Sequence, residues 1–162
     1  MGARSIRVLV VEDFEPWRRF ISSTLQKQPE LEISGQISDG LEAVRQAQEL
    51  QPGLILLDIG LPTMNGIEAA RRIREVSPAS KILFASETRS PEIAEEALNT
   101  GAGGYVLKSD AASDLLPAIK AVLQGNRFVS ASLAGHFLVA TTVSTTQTTL
   151  LTSMVTLISG IR

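Results

Sequence analysis

Between residues 8 and 107, five short apolar runs alternate with longer stretches in which apolar positions recur every three or four residues. Short runs suit buried strands, and the longer spacing suits the apolar stripe of a helix, so strands and helices alternate along the chain. Val8-Leu9-Val10-Val11, Leu54-Ile55-Leu56-Leu57, Ile82-Leu83-Phe84-Ala85 and Tyr105-Val106-Leu107 are continuous, as strands covered by helices on both faces must be. Leu31-Glu32-Ile33-Ser34 with Ile37 alternates instead, which marks an edge strand. The pattern predicts an α/β fold, a doubly wound five-stranded parallel sheet.

Local signals agree with the helical stretches. Pro16 suits a first helical position, and Trp17, Phe20, Ile21 and Leu25 then share a face. Asp39 with Glu42, and Asn65 with Glu68, have the spacing at which a cap side chain and the third helical residue satisfy each other's backbone donors. Helices near 40–50 and 66–75 follow. Ser90-Pro91 opens a fourth helix with Ile93, Ala94, Ala97 and Leu98 inward, and Gly101 is a natural stop. A fifth, from about 113 to 124, presents Leu116, Ile119 and Leu123, with Pro117 near its first turn, where amides lack partners anyway.

After Gly125 the pattern stops. Between Phe128 and Ile161 there is no Lys, Arg, Asp or Glu, and Thr and Ser are frequent. We therefore expect a domain over 5–125 and a Thr/Ser-rich uncharged tail over 126–162. The stretch from Phe137 to Ile161 is long enough to span a bilayer, but its eight threonines, three serines and one glutamine speak against a transmembrane helix. Fifteen basic and 17 acidic side chains leave a net charge of −2, so no global bias favours nucleic acid or an anionic membrane. The absence of cysteine excludes disulfides and thiolate metal sites. The N-terminus runs directly into a strand without a signal-peptide pattern, and a cytoplasmic location is expected.

Four of the five apolar runs end in polar residues: Glu12-Asp13, Asp58, Ser86 and Lys108. In an open parallel sheet the carboxyl ends of the strands line one crevice, the usual ligand site. Three carboxylates, a hydroxyl and an ammonium thus converge. Clustered carboxylates raise each other's pKa unless a cation compensates, and an all-oxygen donor set with open positions suits Mg²⁺. Asp58 can then act as a nucleophile toward a phosphoryl group, giving an aspartyl phosphate. Lys108 can bind one phosphoryl oxygen as a point charge, and the Ser86 hydroxyl can donate to another.

Taken together, Val10-Val11-Glu12-Asp13, Asp58-Ile59-Gly60-Leu61-Pro62-Thr63-Met64-Asn65-Gly66, Phe84-Ala85-Ser86 and Gly104-Tyr105-Val106-Leu107-Lys108 resemble the receiver domain of bacterial two-component response regulators. The resemblance implies a sheet order 2-1-3-4-5 and Asp58 as phosphoacceptor, with a sensor histidine kinase as donor. It implies Mg²⁺ bound directly by Asp13 and Asp58, by Glu12 directly or through water, and by the Gly60 backbone carbonyl. Ser86 and Tyr105 match the family's pair of switch residues, and Lys108 its phosphate-binding lysine. Enzymatic turnover of an external substrate is not expected, only self-phosphorylation and self-dephosphorylation. A homodimer through the fourth helix, fifth strand and fifth helix, or through the tail, is the expected output.

Gly125-Asn126-Arg127-Phe128-Val129-Ser130 resembles the exit of receivers that precede a LuxR/NarL-type helix-turn-helix. Thirty-seven residues follow Gly125, with Arg127 and Arg162 their only Lys or Arg. A helix-turn-helix reader needs about 60 residues and several cations for DNA phosphates, so no direct nucleic acid binding by this tail is expected. An aspartyl-phosphate hydrolase of haloacid-dehalogenase type is the alternative. That family places an Asp two residues after its nucleophile, where this chain has Gly60.

Overall fold

The computed structural model describes residues 4–135. In chain order the elements are β1 (Ile6–Val11), α1 (Glu15–Gln26), β2 (Leu31–Ile37), α2 (Gly40–Leu50), β3 (Leu54–Leu57), α3 (Gly66–Val76), β4 (Lys81–Ser86), α4 (Pro91–Leu98), β5 (Gly104–Leu107), α5 (Ala111–Leu123) and β6 (Phe128–Val129). A single 3-10 turn, Lys108–Asp110, joins β5 to α5. The sheet is parallel throughout, in the order β2-β1-β3-β4-β5-β6. The five expected strands are present in the expected flavodoxin-like order, and a sixth lies outside them.

Side chains on alternate strand positions face opposite sides of the sheet. Val8, Val10, Leu54, Leu56, Leu83 and Val106 pack with Ile21 and Leu25 of α1 and with Leu115, Ala118, Ile119 and Val122 of α5. Leu9, Val11, Ile55 and Leu57 are equally buried on the intervening positions. Most buried residues of α2, α3 and α4 are small, Ala43, Ala47, Ala69, Ala70, Ala94 and Ala97, with Ile67, Ile73 and Leu98 the larger ones. Small side chains let these helices approach closely. Each buried Leu, Ile or Val contributes about 1.5–3 kcal/mol of transfer free energy.

Helix starts follow the sequence signals closely. The Asp39 side chain accepts from the Glu42 amide, Asn65 from that of Glu68, and Ser90 from that of Ile93. Gly101, just beyond α4, has φ +93°, a conformation that costs glycine little.

Several expectations are corrected. Pro16 is the second residue of α1, behind Phe14 at the cap, which has no side-chain cap bond. Ile93 faces outward at 36% exposure, and Ala94, Ala97 and Leu98 alone bury α4. α5 begins at Ala111, earlier than expected, so Pro117 sits in its interior. Pro117 lacks the amide that would serve the Ser113 carbonyl, but both residues lie on the exposed side, where water serves instead. Ile119 is buried as expected, Leu116 and Leu123 pack against the core while only partly buried, and Leu115, Ala118 and Val122 take further core positions.

The expected boundary near residue 125 falls short of β6. Phe128–Val129 pair in parallel with Gly104 and Tyr105, and the compact unit carrying the sheet ends at Ser130. Of the expected tail, residues 136–162 lie outside the described residues, as does the self-association expected of them. Among the described residues no helix is long and apolar enough to cross a membrane.

Candidate metal and phosphoryl site

β1, β3, β4 and β5 all end on one side of the sheet, and the residues that terminate them line a cavity of about 530 Å³. Glu12, Asp13, Asp58, Gly60, Ser86 and Lys108 all contribute to its wall. This convergence follows from parallel strands in register: Val11 lies opposite Leu57, and Leu57 opposite Phe84. The residue after each strand therefore emerges at the same edge.

The acidic groups come closer together than their chain separation suggests. Carboxylate oxygens of Glu12, Asp13 and Asp58 lie within 4.8 Å of one another. Glu12 and Asp58 are almost fully buried, at 1% and 8% exposure, whereas Asp13 is exposed. Each buried carboxylate has fixed partners. Glu12 accepts from the Phe14 amide at 3.1 Å and pairs with the Lys108 ammonium at 2.7 Å. Asp58 accepts from the Ile59 amide at 2.8 Å, with the same ammonium 3.5 Å from its other oxygen.

Burial pushes the carboxyls of both Glu12 and Asp58 above their ordinary range, and Lys108 draws each part of the way back. Their mutual repulsion raises Glu12 further, and Asp13 does the same to Asp58. One ammonium does not offset three carboxylates. An oxygen-only donor set whose ionised form lacks enough positive charge fits a hard divalent cation.

Gly60 contributes backbone, and a Cβ added there would meet nothing within 4 Å, so contact with this chain does not exclude a side chain. Gly66 differs. A Cβ there would lie 1.9 Å from the Asp58 carbonyl oxygen, so the first turn of α3 approaches the end of β3 only because this residue has none.

Ser86 is buried and its hydroxyl accepts from the Thr88 amide at 3.2 Å. Tyr105 is fully buried and donates to the Thr88 carbonyl at 2.9 Å. Burial pushes its hydroxyl pKa up. The pair read as switch residues is thus linked through one loop residue, Thr88, which the sequence did not single out. A second omission is Trp17, which the spacing placed only on a shared helix face with Phe20, Ile21 and Leu25. It is half-buried, stacks on Phe20 with ring centroids 4.9 Å apart, and carries the Lys108 ammonium 5.3 Å above its ring. A cation over an indole face is an attraction no strand-end rule detects.

Glu12 and Asp13 do not cap α1; the Glu12 bond to Phe14 closes the loop before it. Arg71 and Arg72 pair with Glu68, and Arg71 also reaches Glu96.

A parallel 2-1-3-4-5 sheet whose strand ends carry an acidic triad, a hydroxyl and a lysine defines a class of phosphoryl-accepting signalling domains. The chain belongs to the response regulator receiver domain family, whose model matches residues 8–120. It is 37% identical over 134 residues to the transcriptional regulatory protein LiaR of Bacillus subtilis (strain 168), covering 82% of this chain and 63% of that protein. It is 36% identical over 121 residues to the response regulator protein VraR of Staphylococcus aureus (strain Mu3 / ATCC 700698), covering 75% of this chain and 58% of that protein. A solved two-component response regulator of the LuxR family from Aurantimonas sp. SI85-9A1 superposes with a TM-score of 0.77 at 32% identity, over 81% of this chain and 94% of that one. The chain thus spans about three fifths of the length of the curated relatives it matches. It is a receiver domain of the two-component response regulators, and the haloacid-dehalogenase alternative finds no support.

Proposed function

We propose that Asp58 accepts a phosphoryl group from a sensor histidine kinase in a Mg²⁺-dependent reaction, and that the modification changes which surface the domain offers to other proteins. The observation that carries this reading is the Asp58 carboxylate itself: buried, opening on the cavity, and set between two further carboxylates and an ammonium. In the step proposed, an Asp58 carboxylate oxygen forms a bond to phosphorus, the phosphorus–nitrogen bond to the donor imidazole breaks, and the imidazole leaves with its electron pair. Asp13, Asp58 and the Gly60 carbonyl would hold the metal, with Glu12 bound directly or through water. Bound there, Mg²⁺ supplies the positive charge that lets an anionic phosphoryl group approach a carboxylate. Lys108 stays beside the new oxygens as a point charge, and the Ser86 hydroxyl turns from the Thr88 amide toward them.

The group moved ends on the protein, so we read the chain as a signalling module and not as an enzyme with an external substrate. Ser86 and Tyr105 meet at Thr88, in the short loop before α4, which is the route by which the modification reaches the face formed by α4, β5 and α5. That face, or the tail, is the proposed homodimer contact, and the cytoplasm the proposed location.

The test is incubation with Mg²⁺ and acetyl phosphate, followed by intact mass and peptide mapping. One phosphoryl group on Asp58, lost with chelator or in Asp58→Asn, is the expected result. Incorporation that persists in Asp58→Asn would refute the assignment.

A further inference from the structure

The loop from β3 to α3 carries two groups on which the proposed function rests, the Asp58 carboxylate and the Gly60 carbonyl. Its base is closed by the Gly66 amide, which donates to the Ile59 carbonyl at 2.7 Å, and Leu61 is buried beneath it. Its tip is strained. Thr63 has φ +67°, and the Met64 amide reaches back to the Pro62 carbonyl at 2.7 Å across it. A β-branched residue in the left-handed region is disfavoured, and such a conformation persists only where its surroundings over-determine it.

The surroundings here are the first turn of α2. The Gly40 amide donates to the Pro62 carbonyl at 3.3 Å, and the Thr63 hydroxyl donates to the Asp39 carboxylate. The other Asp39 oxygen caps α2 through the Glu42 amide at 3.0 Å. A Cβ at Gly40 would fall 1.9 Å from the Met64 carbonyl oxygen, so helix and loop meet backbone to backbone. The bond from Thr63 is also the main reason the Asp39 carboxyl lies below its ordinary range. Neither Asp39 nor Thr63 lines the cavity.

We infer that Asp39 and Thr63 are positioning residues for the phosphoryl site, clamping the strained loop tip to α2 and so fixing where the Gly60 carbonyl points. The inference rests on the Mg²⁺-dependent reaction proposed for Asp58. With the clamp cut, Thr63 relaxes toward negative φ, the loop turns, and the carbonyl no longer sits where a metal would need it.

Two variants cut the clamp from opposite sides. Thr63→Val removes the hydroxyl and keeps the branched shape, while Asp39→Ser keeps a capping oxygen for the Glu42 amide but is too short to reach Thr63 as well. Thr63→Ser restores the hydroxyl. Phosphoryl incorporation at Asp58 from acetyl phosphate is followed by mass over a Mg²⁺ series, with Tm recorded beside it. The Mg²⁺ concentration for half-maximal rate should rise about tenfold or more in Thr63→Val and Asp39→Ser. The rate at saturating Mg²⁺ should be kept, and Thr63→Ser should match the parent. An unchanged Mg²⁺ dependence in both cutting variants, whatever their Tm, overturns the inference. A parent that takes no phosphoryl group at any Mg²⁺ concentration overturns the reading beneath it, and that failure shows in the parent alone.

Discussion

At the scale of single residues, Lys108 holds the site together while the carboxylates strain it. Glu12 and Asp58 have raised pKa values, so between their ordinary values and their folded values the folded protein binds more protons than the unfolded chain. Stability then falls as pH rises through that window. Removing the ammonium raises both folded values further and widens the window upward. Lys108→Ala, in chelator, should be close to the parent in stability near pH 3.5, below both ordinary values, and weaker by up to about 3 kcal/mol near pH 8, since a buried charge is left without its partner. Chemical denaturation at the two pH values measures this, and an equal deficit at both would show that Lys108 contributes through packing instead. Glu12, Asp13, Asp58, Ser86 and Lys108 were legible because strand ends in a parallel sheet share one edge. Trp17 beneath Lys108 and Thr88 between Ser86 and Tyr105 were not, because ring stacking and backbone acceptors leave no periodic trace.

Among the elements, helices α2 and α3 followed the sequence well because capping pairs mark their starts, whereas α4 and α5 departed where a single residue had to choose a face. Ile93 was assigned inward by spacing, yet Ala94, Ala97 and Leu98 form the buried face of α4 and leave it outside. β6 escaped notice because two residues carry no period; it pairs with β5 and is followed by Ser130. Ser130 is fully buried, its amide bonds the Tyr105 carbonyl at 3.0 Å, and its hydroxyl accepts from the Leu107 amide at 2.9 Å while donating to Asp114 at 3.1 Å. One side chain thus ties β5 to α5. Ser130→Ala leaves the Leu107 amide without its acceptor and should cost about 1–3 kcal/mol. Truncation after Gly125, which removes β6 as well, should lower Tm by more than the point variant does. A chain ending at Gly125 that melts with the parent would show β6 to be ornamental.

For the molecule as a whole, the doubly wound architecture was readable from the alternation of runs, and its boundary was not, since the uncharged composition that suggested a tail begins inside the last strand. The proposed homodimer belongs to this scale. Light scattering before and after treatment with Mg²⁺ and acetyl phosphate should show the mass rise from one chain toward two. A chain that stays monomeric in both states would remove self-association from the proposed output. How two copies could meet is already narrowed by the ends of the sheet. At one end, β2 carries an irregularity opposite Val8 and Leu9, where Ser34 is the extra residue, and exposes Glu32. At the other end, β6 is two residues long and follows exposed Asn126 and Arg127. A kinked, charged border and a stub offer little template for another strand. For the proposed homodimer, such borders argue against open-ended, ribbon-like stacking, which has no natural stopping number, and for contacts between helical faces, which can close on themselves as pairs.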